Sequence, residues 1–226
     1  MADEAEVDGR YYEVVKTGGI AARLARIARE RMHALFLELC APGPDTRILD
    51  VGVSDVLRDE ANMLERSHAW PEAITAVGLG EARAFQAAFP AVRYQRIAAG
   101  MPLPFADGAF DIAVSNAVLE HVGSAAAQRA FLAELFRVGR RVFVTVPNRF
   151  FPIEHHTAIP LAHWSDRTFP PVCRALGKPK WGEAEALILM SRRRLAGLCP
   201  PGRVVQIGTT GLRLGVFSSN LYLFAR

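Results

Sequence analysis

The sequence is first informative through what it has little of. It holds three cysteines in 226 residues, Cys40, Cys173 and Cys199, and no two of them form a CxxC pair. A disulfide framework or zinc knuckle is therefore not expected. The low cysteine content fits a protein of a reducing, cytoplasmic compartment. No apolar run reaches the roughly 18–20 residues that a membrane-spanning helix needs. The first ten residues, MADEAEVDGR, are acidic and polar, unlike a secretory signal.

Strong charge is also lacking. The formal net charge is +4, and the arginines are scattered except at 140–141 and 192–194. We interpret these two clusters as a strand entry and a solvated helix face. A nucleic-acid surface would need a basic stripe with stacking aromatics, and none is evident. The pattern predicts neither a nucleic-acid partner nor a membrane span, and it leaves the oligomeric state open.

Strand and helix patterns alternate along the chain. Strand patterns cover residues 48–51, 73–79, 92–98, 110–116 and 140–147, and helical spacing covers 20–40, 55–66, 81–88 and 124–138. Two more strands, 204–208 and 218–224, follow a helix that begins after Ser191. This alternation predicts an α/β fold with a Rossmann-like, doubly wound sheet. We expect the sheet to be mostly parallel, with an antiparallel last strand and helices on both faces.

We expect the chain to form a single domain over residues 1–226. Residues 1–40, with Tyr11 and Tyr12, are interpreted as a helical lid. Residues 148–185, rich in Pro, His, Phe and Trp, are interpreted as an insertion or cap. Ligands of doubly wound sheets bind at the carboxyl edge, where the strand order reverses. Functional residues are therefore expected after the first four strands.

Four segments carry a family resemblance: ILDVG (48–52), ITAVGL (74–79), LPFADGAFDIAVSNAVLEHV (103–122) and VFVTVPNRFFP (142–152). In this order they resemble class I S-adenosylmethionine-dependent methyltransferases. ANMLER (61–66), AVGLGE (76–81), VPNRFFPIEHHTAIPLAHW (146–164) and SSNLYLF (218–224) resemble a bacterial, methyltransferase type 11-like branch with degenerate cofactor motifs. The resemblance implies methyl transfer with S-adenosylmethionine as the cofactor.

The resemblance also implies a cofactor site at the carboxyl edge. Its predicted residues are Asp50, Val51, Gly52, Val53, Ser54, Asp55, Gly78, Leu79, Glu81, Ala98, Ala99, Gly100, Met101 and Asn116. Three of these depart from the family pattern. Ser54 replaces the second glycine of the first turn, Gly78 stands where an acid usually binds the ribose, and Ala99 stands where an acid usually binds the adenine amine.

The two missing acids have a cost. A hydrogen bond to a charged group contributes about 1.5–3 kcal/mol, so losing two weakens binding by roughly 3–6 kcal/mol. Either other groups replace these acids or the cofactor binds unusually. Glu81, Ser54 and Asp55 are the candidate replacements.

Glu120 and His121 are the predicted catalytic residues, because they follow the fourth strand and face the expected position of the methyl group. Neutral His121 could take a proton from a hydroxyl acceptor. Alternatively, this segment only packs the start of the next helix. Asn148, His155 and His156 are predicted to bind the substrate. No metal site is predicted, since adjacent side chains of an extended segment diverge and the segment has no HxH or HExxH spacing.

The sequence thus predicts a methyltransferase that acts on an unidentified small-molecule or glycan-type acceptor. A non-catalytic relative that binds a partner or another metabolite is the alternative, motivated by Gly78 and Ala99. A dehydrogenase is disfavoured, because GVSDVL after the first strand does not match GxGxxG.

Overall fold

The fold is built around one seven-stranded sheet, seen in a computed structural model that describes residues 19–55, 57, 62–183 and 186–226. The strands are β1 (Ile48–Val51), β2 (Ile74–Gly78), β3 (Arg93–Arg96), β4 (Phe110–Asn116), β5 (Gly139–Pro147), β6 (Val205–Leu214) and β7 (Phe217–Ala225). Their order in the sheet is β3-β2-β1-β4-β5-β7-β6. β1 to β5 are parallel, and β7 runs antiparallel between β5 and β6. The predicted fold class is confirmed.

Helices cover both faces of the sheet. They are α1 (Ile20–Cys40), α2 (Met63–Ser67), α3 (Arg83–Ala88), α4 (Ala125–Val138), α5 (Phe169–Ala175) and α6 (Arg192–Leu198). One core lies between the sheet, α4 and α6, where Leu132, Leu135 and Leu195 are fully buried. The other lies beneath α1, α2 and α3 and includes Phe36 and Phe85. The central strands are therefore buried on both faces, which explains their nearly continuous apolar runs.

Local signals set several helix ends. The Ser124 and Ser191 hydroxyls accept hydrogen bonds from the backbone N–H groups of Ala127 and Arg194, which caps α4 and α6. Helix α1 ends at Cys40, immediately before the APGPD segment. Of the helix predicted over residues 55–66, the structure shows Met63–Ser67, while residues 56 and 58–61 lie outside the described part.

The predicted lid and cap have different surroundings. Helix α1 packs on the sheet face, where the Phe36 ring meets the edge of the Phe143 ring at 5.6 Å between centroids. Tyr11 and Tyr12 lie outside the described residues. The segment from residue 148 to 183 contains α5 and has a small apolar core of its own, centred on Trp181. No described helix is long and apolar enough to cross a membrane.

Candidate active site

A cavity of about 800 Å³ opens at the carboxyl ends of β1, β2 and β4. This is the edge where the strand order reverses, and the volume falls in the usual range for small-molecule sites. The predicted site residues that line the cavity are Val51, Gly52, Val53, Asp55, Gly78, Leu79, Ala98, Ala99, Gly100, Met101 and His121. The cavity is therefore large enough for a nucleoside-sized ligand. We call it the adenosyl cavity, after the cofactor group that the sequence predicts at this edge.

The turn after β1 requires glycine at one position. Gly52 has a φ of +101°, and a Cβ added there would lie 2.3 Å from Cγ2 of Val118. The Gly52 and Val53 N–H groups both donate to the Val77 carbonyl, which holds the turn against β2. Val118 reaches this position because Ala117, at a φ of +55°, turns the chain back after β4. Glycine is therefore required here by the backbone angle and by the packing of Val118, and at Gly52 itself only backbone borders the adenosyl cavity.

The end of β2 has no acid, and the structure shows why an acid would not fit without rearrangement. A Cβ added to Gly78 would lie 2.9 Å from the Tyr94 hydroxyl, which donates a 2.6 Å hydrogen bond to the Gly80 carbonyl. Glu81, a predicted replacement, is half exposed and forms an ion pair with Arg96. Glu81 is not among the residues that line the adenosyl cavity.

Ser54 and Asp55, the other candidate replacements, are engaged with protein groups. Ser54 is buried, and its carbonyl accepts a 2.8 Å hydrogen bond from the Asn62 amide. The Asp55 carboxylate accepts a 2.7 Å hydrogen bond from the Phe85 N–H at the start of α3. These contacts fix the turn after β1 to α2 and α3. The Asp55 carboxylate is therefore partly engaged, whereas the Ser54 contact with Asn62 is made by its backbone.

Asp50 and Asn116 line a second, smaller cavity beneath α1, together with Arg29 and His33. Burial raises the pKa of Asp50 to about 6, and its carboxyl faces that of Glu65. Burial, and then the charge of Asp50, raise the pKa of Glu65 well above its usual value. The Glu65 oxygens meet no donor among the described residues. The two carboxyls are therefore expected to keep a shared proton at neutral pH.

Glu120 and His121 lie on the single helical turn after β4 and meet the cap there. His121 Nε2 lies 3.2 Å from His156 Nε2, and His121 Nδ1 lies 2.9 Å from the Ala186 carbonyl. His156 Nδ1 lies 2.8 Å from the Glu154 carboxylate. One ligand atom from each of Glu120, His121 and His156 lies within 4.8 Å of the other two. We call these three residues the EHH cluster.

Burial sets the charge states in this region. It raises the pKa of Glu120 to about 7 and lowers that of His121 to about 4. Burial also lowers the pKa of His156, but the neighbouring carboxylates of Glu154 and Glu120 outweigh it and leave the pKa raised. His121 is therefore neutral near pH 7. With so low a pKa, it is a weak base on its own.

The other predicted substrate residues have separate surroundings. The Asn148 amide donates a 2.9 Å hydrogen bond to the Ser218 carbonyl, and its oxygen accepts one from the Phe150 N–H. His155 is exposed, and its ring centroid lies 5.8 Å from that of Phe151. Asn148 and His155 line a small cavity that also borders Glu120, but of the three predicted substrate residues only His156 lies in the group that contains His121.

Comparison with known proteins agrees with this geometry. Residues 61–142 match the family described as a methyltransferase domain. This segment, about a third of the chain, is thus similar to a methyltransferase domain. The match agrees with the methyltransferase family, the enzyme class and the cofactor, S-adenosylmethionine, that the sequence predicts. No curated protein matches the chain.

Solved methyltransferases share the fold at low sequence identity. A SAM-dependent methyltransferase from Aquifex aeolicus is 13% identical, with a TM-score of 0.54 over 100% of this chain and 98% of that one. One from Methanosarcina mazei is 17% identical, with a TM-score of 0.56 over 81% and 92%. Phosphoethanolamine N-methyltransferase 2 from Haemonchus contortus, solved with S-adenosyl-L-methionine, is 14% identical, with a TM-score of 0.52 over 79% and 38%.

Several residues around the site were not predicted. Tyr94 closes the end of β2, Val118 fills the space above Gly52, and Glu65 pairs with Asp50. None carries a local sequence signal, because each acts through contact with a distant segment. Glu120 and His121 were predicted, but their approach to His156 depends on how the cap folds back.

Proposed function

We propose that the methyltransferase domain binds the adenosyl group of S-adenosylmethionine in the adenosyl cavity and methylates a small-molecule or glycan-type hydroxyl. The observation that carries this proposal is the coincidence of the cavity with the predicted cofactor residues at the reversal of strand order. The bound cofactor supplies an electrophilic methyl group on a sulfonium. The chain's own residues must then position the acceptor and assist the removal of its hydroxyl proton.

The residues present fit the cofactor, although two acidic anchors are missing. Backbone at Gly52, Gly78 and Gly80 leaves room beside the cavity, and the loop from Ala98 to Met101 forms another wall. Glu81 is paired with Arg96, and Asp55 is hydrogen-bonded to the backbone of Phe85. The cofactor would therefore be recognised mainly by the shape of the cavity and by backbone groups. We therefore expect weaker cofactor binding than an acid-anchored site would give.

The acceptor is proposed to approach from the side of His121, which lines the adenosyl cavity. His121 alone has little support as the base, since burial lowers its pKa to about 4 and both its ring nitrogens have close neighbours. We assign the handling of the acceptor hydroxyl to the EHH cluster as a unit.

Turnover on an acceptor panel tests the proposal. The full chain is incubated with S-adenosylmethionine labelled on the methyl group and with small alcohols, phenols and oligosaccharides, and labelled product is counted. Transfer to a hydroxyl is expected, with loss of transfer in His156→Gln. Cofactor binding without transfer to any hydroxyl would overturn the proposed acceptor class and favour the non-catalytic alternative.

A further inference from the structure

The strongest unexplained feature is the convergence of two imidazoles and a buried carboxylate between the cap and the end of β4. We propose that Glu120, His121 and His156 bind one divalent transition-metal ion, with Zn²⁺ as the best match, beside the adenosyl cavity. The binding site goes beyond the proposed function. Only the role of the ion in activating the acceptor, argued below, depends on that function.

The ring orientations are the first argument. His121 Nδ1 lies 2.9 Å from a carbonyl, which can only accept, so Nδ1 carries hydrogen and the Nε2 of the neutral ring is a lone pair. His156 Nδ1 is likewise bonded to the Glu154 carboxylate at 2.8 Å. Both Nε2 atoms then face each other at 3.2 Å. Two lone pairs at this distance repel unless a proton or a metal ion lies between them.

The spacing is the second argument. Zn–N bonds are about 2.0–2.1 Å, and two such bonds at a tetrahedral angle place the nitrogens about 3.3 Å apart. The observed 3.2 Å separation matches this value. An oxygen of Glu120 lies within 4.8 Å of a ring nitrogen of each histidine, which makes it the third candidate ligand.

The state of Glu120 is the third and independent argument. Its side chain is only 1% exposed, and neither carboxylate oxygen has a hydrogen-bond partner among the described residues. An ionised carboxylate buried without a partner is strongly unfavourable. A cation between Glu120 and the two imidazoles would remove this penalty. A single proton shared by the two rings would leave the Glu120 oxygens without a bond.

The surroundings resemble the outer layer of a metal site. Histidine ligands of metals usually donate their other ring N–H to a carboxylate or a backbone carbonyl, as His156 and His121 do here. Glu154 is itself held by the N–H and hydroxyl of Thr157, at 2.6 and 2.7 Å. Trp181 stacks on the His156 ring at 4.8 Å between centroids. These contacts fix the rings in the orientation that a metal ion needs.

Two histidines and a carboxylate leave a fourth tetrahedral position for water or substrate, as in catalytic zinc sites. A zinc-bound water has a pKa near 7 instead of 15.7, and a bound alcohol is acidified in the same way. The ion would thus lower the pKa of a bound acceptor hydroxyl, so that its proton could pass to solvent water without a strong protein base. The acceptor oxygen would then form a bond to the methyl carbon while the bond from that carbon to the sulfonium sulfur breaks, which leaves S-adenosylhomocysteine. This explains how a His121 of low pKa can belong to the reaction centre.

Metal stoichiometry and Co²⁺ spectroscopy test the proposal on the full chain. The protein is stripped with a chelator, loaded with Zn²⁺ or Co²⁺, desalted and analysed for metal by mass spectrometry. We expect one ion per chain. In the Co²⁺ form, we expect visible absorption bands with the high intensity that is typical of tetrahedral Co²⁺. His156→Gln and Glu120→Gln should each weaken binding at least tenfold, and Glu154→Gln about 10–100-fold through its contact with His156. His155→Gln, which changes the adjacent exposed histidine, should retain the ion.

Two results would overturn the proposal. One is a folded wild type that retains no Zn²⁺ or Co²⁺ after desalting, which would mean that the histidines share a proton instead. The other is equal binding by wild type and His156→Gln, which would place the ion elsewhere.

S-adenosylhomocysteine is titrated into the same preparations by calorimetry. Cofactor binding without metal would overturn only the metal site, and metal binding without cofactor would overturn only the proposed adenosyl cavity. The wild-type measurements need no variant to fold.

Discussion

Replacing Gly52 with alanine should destabilise the fold through two separable effects. The φ of +101° disfavours any residue with a Cβ, by about 1–2 kcal/mol for left-handed backbone. The new Cβ would also lie 2.3 Å from Val118 Cγ2, and such overpacking costs about 1–3 kcal/mol. Together they predict a loss of about 2–5 kcal/mol in the free energy of unfolding. For a chain of this size, each 1 kcal/mol lowers the melting temperature by roughly 2–4 °C.

Two variants separate the effects in urea unfolding experiments. Gly100 has a φ of +73° and open space within 4 Å of an added Cβ, so Gly100→Ala should show the backbone cost alone. Adding Val118→Ala to Gly52→Ala should recover part of the loss, because it removes the clashing methyl groups. If Gly52→Ala costs no more than Gly100→Ala, the packing of Val118 over the turn is not as described.

Three other predictions follow from the site and its supports. Glu65→Gln should gain stability relative to wild type as the pH rises from 5 to 8, measured by urea unfolding. The carboxyls of Glu65 and Asp50 hold their protons more tightly in the folded state than in the unfolded chain. The wild type therefore loses stability as the pH rises and these groups ionise. If the difference in stability between Glu65→Gln and wild type does not change with pH, the pairing of the two carboxyls is contradicted. Ala99→Asp should tighten S-adenosylhomocysteine binding about tenfold or more in calorimetry, by restoring one charged hydrogen bond, whereas Ala91→Asp, at an exposed turn, should not; equal affinities would remove Ala99 from the adenine end. Ser191→Ala should lower the free energy of unfolding by about 0.5–2 kcal/mol through loss of the α6 cap, and no change would show that the cap is dispensable.

The sequence predicts the sheet well because its strands are buried on both faces. Phe110–Asn116 and Ile48–Val51 match their predicted bounds, since most of their residues are buried and apolar runs of this kind are typical of central parallel strands. The prediction is less complete for the last hairpin. β6 extends to Leu214, well past the predicted residue 208, because pairing with β7 continues beyond the apolar run.

The candidate site is only partly predictable from the sequence. The turn at Gly52 and the loop at Ala98–Met101 follow strand ends, and topology alone brings them to one edge. Asp55 and Glu81 have the right chemistry, but Phe85 and Arg96 engage them, which no local pattern reveals.

The histidines show the same limit. His155 and His156 diverge as expected of neighbouring side chains in an extended segment. The spacing of the histidines within that segment nevertheless does not predict the cluster that His156 forms with Glu120 and His121. These partners lie more than 30 positions away in the sequence.

The most direct measurement is calorimetric titration of S-adenosylhomocysteine into the full chain, with Ala99→Trp as a variant that fills the adenosyl cavity. The account predicts one site per wild-type chain, a dissociation constant below the millimolar range and loss of binding in the variant. At a hundredfold excess over that constant, the ligand should also raise the free energy of unfolding by about 2.7 kcal/mol. Absence of heat at millimolar ligand, or equal binding by folded Ala99→Trp, would contradict the placement of the cofactor beside Gly52.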